Sequence, residues 1–334
     1  MKYKNLGESG LEISVVSLGS WLTYGASVEE AVAYKCLEKA VNCGINFIDT
    51  ADIYNNGGAE KVIGNFLKST ERSHIVIGSK VFFPTSQNRM DKGLSLRHIR
   101  NSIARSLERL KTDYIDLYQC HRYDTQTPLE ETCFAMHQLI TEGRILYWGV
   151  SQWSGVQITN ALRICEKYNW RKPISNQPIY NMLNRSLEIE VMEVCETEKI
   201  GLIVYSPLAQ GILTGKYKKE APLPENSRAA REVTSKWFAF KRLTPENLDK
   251  VEALQKLASE LGCTMPQLAL AWCLRHKPIT SVIIGASRPE QIEENIQAAT
   301  LELPEEILQR IETVLANRPI DQYTGEAIGY KAVN

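Results

Sequence analysis

The chain has 334 residues, 43% of them hydrophobic, and its 39 Lys plus Arg balance 39 Asp plus Glu, leaving no formal charge. That balance excludes the basic excess of a nucleic-acid binder and the charged, weakly hydrophobic signature of a disordered chain. No apolar run approaches the roughly 18 residues of a membrane span. Residues 1–10 lack the apolar core of a secretory signal, so a cytoplasmic location is expected.

In chain order, residues 3–20 read as a short hairpin turning at 7–10 and then a strand, "VVSLGS". From there short apolar runs alternate with helical patterns near 28–42, 59–68, 96–110, 129–142, 156–168 and 187–198. The runs are "INFIDT", "HIVIGSK", "YIDLYQCH", "ILYWGVS", "PISNQPI" and "GLIVYSPL". Two helices at 245–262 and 265–276 precede the run "TSVIIGAS", and the helix "RPEQIEENIQAA" follows it. Eight continuous apolar strands separated by amphipathic helices predict a closed (β/α)8 TIM barrel in the α/β class. The alternative is a doubly wound sheet, but the glycines contain no G-x-G-x-x-G fingerprint. A single barrel domain over 1–334 is expected, with a loose tail at 318–334. Two long insertions, "VFFPTSQNRMDKGLS" and 209–244, follow strand C-terminal ends, where a barrel builds its active site. The eight cysteines are scattered without a C-x-x-C pair and read as reduced, mostly buried thiols.

The strand tips carry the chemistry. Asp49 ends the second run, Tyr54 lies on the following loop, Lys80 ends the third and His121 the fourth. Singly, each has a plain structural reading, as a turn cap, a solvated end or a buried histidine. Jointly they are general-acid equipment: Lys80 is expected to lower the phenol's pKa, Asp49 to neutralise the ammonium, and His121 to guide a carbonyl toward Tyr54. Trp21, Tyr24, Phe82, Phe83 and Trp153 are candidates for an apolar substrate wall. "GASRPEQIEEN", with Ser287 and Arg288 before a helix start, reads equally as a phosphate site or as a helix capped by Ser287. The sequence contains no H-E-x-x-H, G-x-S-x-G or EF-hand loop. "GILTGKY" is one residue too short for a phosphate loop, and no metal site is expected.

The segments "FIDTADIY", "GSK", "YQCHRYD", "GVSQWS", "NQPIYN", "YSPLAQGILTGKY" and "GASRPEQIEEN" resemble the aldo-keto reductases over nearly the whole chain. "SLGSWLTYG", "DKGLSLRHI", "YWGVSQWS" and "LGCTMPQLALAWCLR" are most similar to the branch of voltage-gated potassium channel β-subunits and their microbial relatives. The resemblance implies NADPH bound across the barrel mouth and a catalytic tetrad at Asp49, Tyr54, Lys80 and His121. It implies that Ser20, Trp21, Asp49, Ser151, Gln152, Gln177 and Tyr205 surround the nicotinamide. Ser206, Pro207, Leu208, Gly211, Lys216 and Arg228 would enclose the pyrophosphate. Gly285, Ser287, Arg288, Gln291, Glu294 and Asn295 would take the adenosine phosphate, Arg288 favouring NADPH over NADH. It further implies a homo-oligomer, a tetramer or larger, and two candidate activities. One is NADPH-dependent reduction of aldehydes or ketones. The other is a cofactor-loaded accessory subunit with a membrane-channel partner and slow residual turnover. The animal channel subunits carry Asn where this chain has His121, a departure that favours a working enzyme.

Overall fold

The structure, a computed structural model, describes residues 1–21, 24, 29–225, 227–238, 240–320 and 326–327, with Val233 as backbone alone. A hairpin comes first, β1 (Tyr3–Asn5) antiparallel to β2 (Glu12–Ser14). Its turn needs Gly7, whose φ is 61° and where a Cβ would stand 2.5 Å from the Lys199 carbonyl oxygen. Leu6 and Ile13 from the hairpin pack with Phe47, Val76, Leu117 and Ile203, which lie near the starts of their strands. The hairpin thus plugs the N-terminal end of the barrel with apolar surface.

Eight strands close the barrel in sequence order: β3 (Val16–Gly19), β4 (Phe47–Asp49), β5 (Val76–Val81), β6 (Ile115–Cys120), β7 (Ile145–Val150), β8 (Ser175–Asn176), β9 (Gly201–Tyr205) and β10 (Ile279–Ile284). Each pairs in parallel with the next, and β10 returns to β3 through Val282 opposite Val16. The closed ring bears out the predicted barrel and rules out the doubly wound sheet.

The helices are α1 (Glu30–Asn42), α2 (Gly58–Leu67), α3 (Leu96–Leu110), α4 (Leu129–Thr141), α5 (Gly155–Lys167), α6 (Val191–Thr197), α7 (Glu232–Ser235), α8 (Pro245–Glu260), α9 (Met265–Leu274), α10 (Glu290–Asn295) and α11 (Glu305–Leu315). Local chemistry sets several starts. Ser95 caps α3, and Ser154 with Gln157 and Thr264 with Gln267 form capping boxes on α5 and α9. Their apolar faces join the outer faces of the strands in one continuous core. The helix predicted over 187–198 is broken, because Glu190 (φ −145°) leaves helical geometry between a single turn at Ser186–Glu188 and α6. The sequence reading also passed over α11, which buries Ile307, Ile311 and Leu315.

Just before the expected tail, Asn317 Nδ2 donates to the Met182 carbonyl at 2.8 Å; within its described part, Arg318 pairs with Glu312 at 2.9 Å and Ile320 bridges to Ala327. The rest of that segment, 321–325 and 328–334, lies outside the described residues. Six of the eight cysteines are buried and all are unpaired thiols. Among the described residues no helix is long and apolar enough to cross a membrane.

Candidate active site

Every strand of a parallel barrel points its C-terminal end to the same mouth, so residues far apart in sequence converge there. Asp49 is the last residue of β4 and is 3% exposed; Lys80 lies one residue before the end of β5 and is wholly buried. Lys80 Nζ sits 2.7 Å from Asp49 Oδ2, 2.7 Å from the Thr50 carbonyl oxygen and 3.2 Å from the Tyr54 hydroxyl. An ammonium has three N–H donors, and these three acceptors match them. The Tyr54 oxygen therefore accepts a hydrogen bond from Lys80, which leaves its own O–H to be donated elsewhere. No acceptor for it lies within bonding range among the described residues.

The second carboxylate oxygen of Asp49 is held from across the barrel by Gln177 Nε2 at 2.8 Å. Gln177, just past β8, also accepts at its carbonyl oxygen from Ser151 Oγ at 2.8 Å. His121 follows β6 and is 6% exposed; its ring stands 5.8 Å from the Tyr54 ring, nearly perpendicular to it. Its Nδ1 is buried without a hydrogen-bond partner. Phe83 packs edge-on against the imidazole at 4.8 Å, and Trp21 lies 6.5 Å from Tyr54. Of the candidate wall, Trp21 and Phe83 border the reactive groups and Phe82 supports Phe83. Tyr24 and Trp153 are buried instead, as core packing.

Burial controls the charge states. It pushes the Tyr54 phenol well above the usual tyrosine range, with the Asp49 charge adding to the effect. The expected net lowering by Lys80 is not seen, because desolvation dominates and the Asp49 charge beside the ammonium acts the other way. Burial also pulls Lys80 below the ordinary lysine value against the opposing pull of Asp49. His121 is held well below the usual imidazole range by burial, then by the charges of Lys80 and Arg122. It is therefore neutral at neutral pH, able to donate one hydrogen bond and accept another.

The remaining candidates form two groups around this centre. Gln152 Nε2 donates to the Tyr205 hydroxyl, and Ser20 Oγ is buried and unpartnered among the described residues. Positive φ at Gln152 (60°), Ser206 (53°), Ala209 (46°) and Gln210 (58°) marks strained loops leaving the mouth. The second group is cationic. Lys216 packs its amine against Gly211, at 3.1 Å from where a Cβ would stand, and Arg228 lies 5.6 Å from the Trp21 ring centre and 3.8 Å from the corresponding point on Gly285. Burial and then the charges of Arg228, Arg231 and Arg288 lower the Lys216 pKa. Lys216, Arg228 and Arg288 have no carboxylate partner among the described residues. Pro207 and Leu208 lie between this cluster and β9. Ser287 does not cap α10; its N–H donates to Gln291 Oε1 at 2.9 Å, and the helix begins beyond Pro289. Asn295 is buried, whereas the Glu294 side chain is exposed and makes no hydrogen bond.

These features fit a phosphorylated dinucleotide. A cluster of mutually repelling cations without carboxylate partners among the described residues suits phosphates, and the Ser20 Oγ and His121 Nδ1, unpartnered among the described residues, sit at the end where the reactive groups converge. Sequence reasoning did not single out Arg122, whose guanidinium borders His121. It also missed a buried acidic cluster behind the Tyr54 turn. There Ser102 donates to Asp52 at 2.7 Å, and Glu60 takes Ser79 at 2.6 Å and Arg109 at 2.7 Å.

The class is a (β/α)8 barrel that gathers a phenol, an ammonium–carboxylate pair and an imidazole at its mouth. The model of the aldo/keto reductase family matches residues 15–316, and the chain belongs to that family. It is 42% identical over 96% of its length to an Arabidopsis thaliana protein named "Probable voltage-gated potassium channel subunit beta", covering 98% of that relative. An Oryza sativa subsp. japonica protein of the same name is 41% identical with the same coverage. A Schizosaccharomyces pombe protein, also named as a channel β-subunit, is 41% identical, covering 96% of this chain and 94% of the relative.

Proposed function

We propose that this protein reduces aldehydes or ketones to alcohols with NADPH. One observation carries the reading: Lys80 donates hydrogen bonds to Asp49, Thr50 and Tyr54, which leaves the Tyr54 O–H free to donate to a bound carbonyl. When bound, the reduced nicotinamide supplies the hydride that the carbonyl carbon accepts. The chain supplies the proton. A carbonyl oxygen set between Tyr54 and the neutral His121 imidazole receives two hydrogen bonds as negative charge develops on it, and Tyr54 transfers its proton there. The high pKa of the buried phenol keeps it protonated and ready at neutral pH. As Tyr54 becomes a phenolate, the adjacent Lys80 ammonium stabilises it at the moment the charge appears. Gln177 fixes Asp49, which fixes Lys80, so the acid is positioned through three linked hydrogen bonds. Trp21, Asp49, Ser151, Gln152, Gln177 and Tyr205 would hold the nicotinamide, and Lys216, Arg228 and Arg288 the phosphates.

The names of the relatives support a second reading, a cofactor-loaded accessory subunit of a potassium channel. The same site serves both, and turnover separates them. The protein is purified without added nucleotide, released nucleotide is identified, and a panel of carbonyls is followed by NADPH absorbance. Repeated turnover, with NADPH bound more tightly than NADH, supports the reductase. A single slow hydride transfer with retained oxidised nucleotide supports the accessory reading.

A further inference from the structure

Arg122 follows His121 directly and is half-buried at the rim of the site. One of its guanidinium nitrogens donates to the His121 carbonyl oxygen and makes a long 3.5 Å contact with Ser151 Oγ. The guanidinium carbon lies 5.4 Å from the centre of the Phe83 ring, the ring that packs on the His121 imidazole. One phenyl group therefore touches both the carbonyl-facing histidine and the cation. The charge of Arg122 depresses the pKa of His121 and Lys80 and opposes the rise at Tyr54, so it is felt throughout the site.

The charges at the mouth do not cancel. Asp49 matches Lys80, and His121 is neutral, which leaves Arg122 as an uncompensated cation. No carboxylate stands within ion-pair range of it among the described residues, and its remaining N–H donors have no acceptor there. An arginine fork in that condition suits a carboxylate, which it can take by two parallel hydrogen bonds. Arg122 also sits apart in the fold from the cations of the 209–244 insertion, since it leaves β6 on the side of Phe83 and Ser151.

We propose that Arg122 selects carbonyl substrates that also bear a carboxylate, with an apolar spacer resting on Phe83 while the carbonyl lies between Tyr54 and His121. The inference rests on the reductase reading and adds the substrate class. The test compares 4-carboxybenzaldehyde with its neutral methyl ester, methyl 4-formylbenzoate, by kcat/KM in the wild type, Arg122→Lys and Arg122→Met, with NADPH affinity measured in parallel. The wild type should prefer the carboxylate by about tenfold or more, the worth of one charge-assisted pair. The preference should shrink in added salt, vanish in Arg122→Met mainly through KM, and partly return in Arg122→Lys. A wild-type ratio near one, or a ratio unchanged in Arg122→Met, overturns the proposal while leaving the reductase intact. A tenfold loss of NADPH affinity in Arg122→Met with an unchanged ratio overturns it too, by placing Arg122 in the nucleotide site. Reduction of neither aldehyde by NADPH-loaded wild type overturns the reductase reading itself, and this proposal with it.

Discussion

Replacing Tyr54 by Phe removes one oxygen and leaves the ring, so rate and stability should separate. The lost hydroxyl accepts a single 3.2 Å hydrogen bond from Lys80, whose other two donors keep Asp49 and Thr50 at 2.7 Å. The lysine keeps Asp49 and Thr50, but one N–H of a buried ammonium loses its acceptor, so the stability cost should be about 1–3 kcal/mol. In a chain of this size that shifts Tm by less than about 10 °C. The rate should respond far more. A positioned general acid is worth about 10²- to 10⁴-fold, or roughly 3–5 kcal/mol in the transition state. Carbonyl reduction is followed by NADPH absorbance, with deuterated cofactor used to establish that hydride transfer limits the rate. NADPH affinity, measured by fluorescence, should stay near wild type. Wild-type turnover in Tyr54→Phe, with chemistry limiting, refutes the assignment of Tyr54 as the acid. A collapse in Tm alongside the rate would instead show that the hydroxyl holds the fold.

Lys80→Met leaves Asp49 buried against Gln177 alone, and urea unfolding should show a loss of about 3–5 kcal/mol; adding Asp49→Asn should recover part of it. His121→Asn should lower kcat/KM by about 10²-fold, and the wild-type profile should show no titration of this imidazole in the ordinary histidine range, since burial holds its pKa well below it. Asp52 is raised from 3.8 to about 7, by burial first, against the Ser102 hydrogen bond. The folded state therefore holds that proton longer than the unfolded chain, and stability falls as pH rises from about 4 through about 7. Asp52→Asn should be the more stable protein near pH 8 by about 1–4 kcal/mol and converge with wild type near pH 4. Parallel curves for the two proteins would show that Asp52 does not titrate in that window.

The barrel was legible because its strands are buried on both faces and so read as unbroken apolar runs. "HIVIGSK" and "YIDLYQCH" became β5 and β6 almost residue for residue. Strand ends are also where the fold converges, which is why the sequence alone groups Asp49, Lys80 and His121. The helix after β8 was less legible, since its break at Glu190 follows from backbone geometry that periodicity does not encode. Tyr24 and Trp153 failed as pocket candidates for a related reason: an aromatic near a strand end has two sides available, and sequence does not say which one it takes. The pairing of Gln177 with Asp49 spans 128 positions and has no local signal.

Charge state was the least legible property, and it changes how the site works. From residue types alone, a lysine beside a tyrosine suggests a phenol made more acidic in advance. In the folded protein Asp49 cancels the lysine charge and burial dominates, so the phenol begins fully protonated with a raised pKa. In the proposed reduction the stabilising interaction is deferred to the transition state, when a forming phenolate replaces a neutral acceptor in the third bond of Lys80. Differential stabilisation of that kind accelerates a reaction, whereas an equally strong bond to the resting phenol would lower the ground state as well. On the proposed reductase reading, the lysine–carboxylate pair contributes through what it does as charge develops on Tyr54, and not through the acidity it confers beforehand.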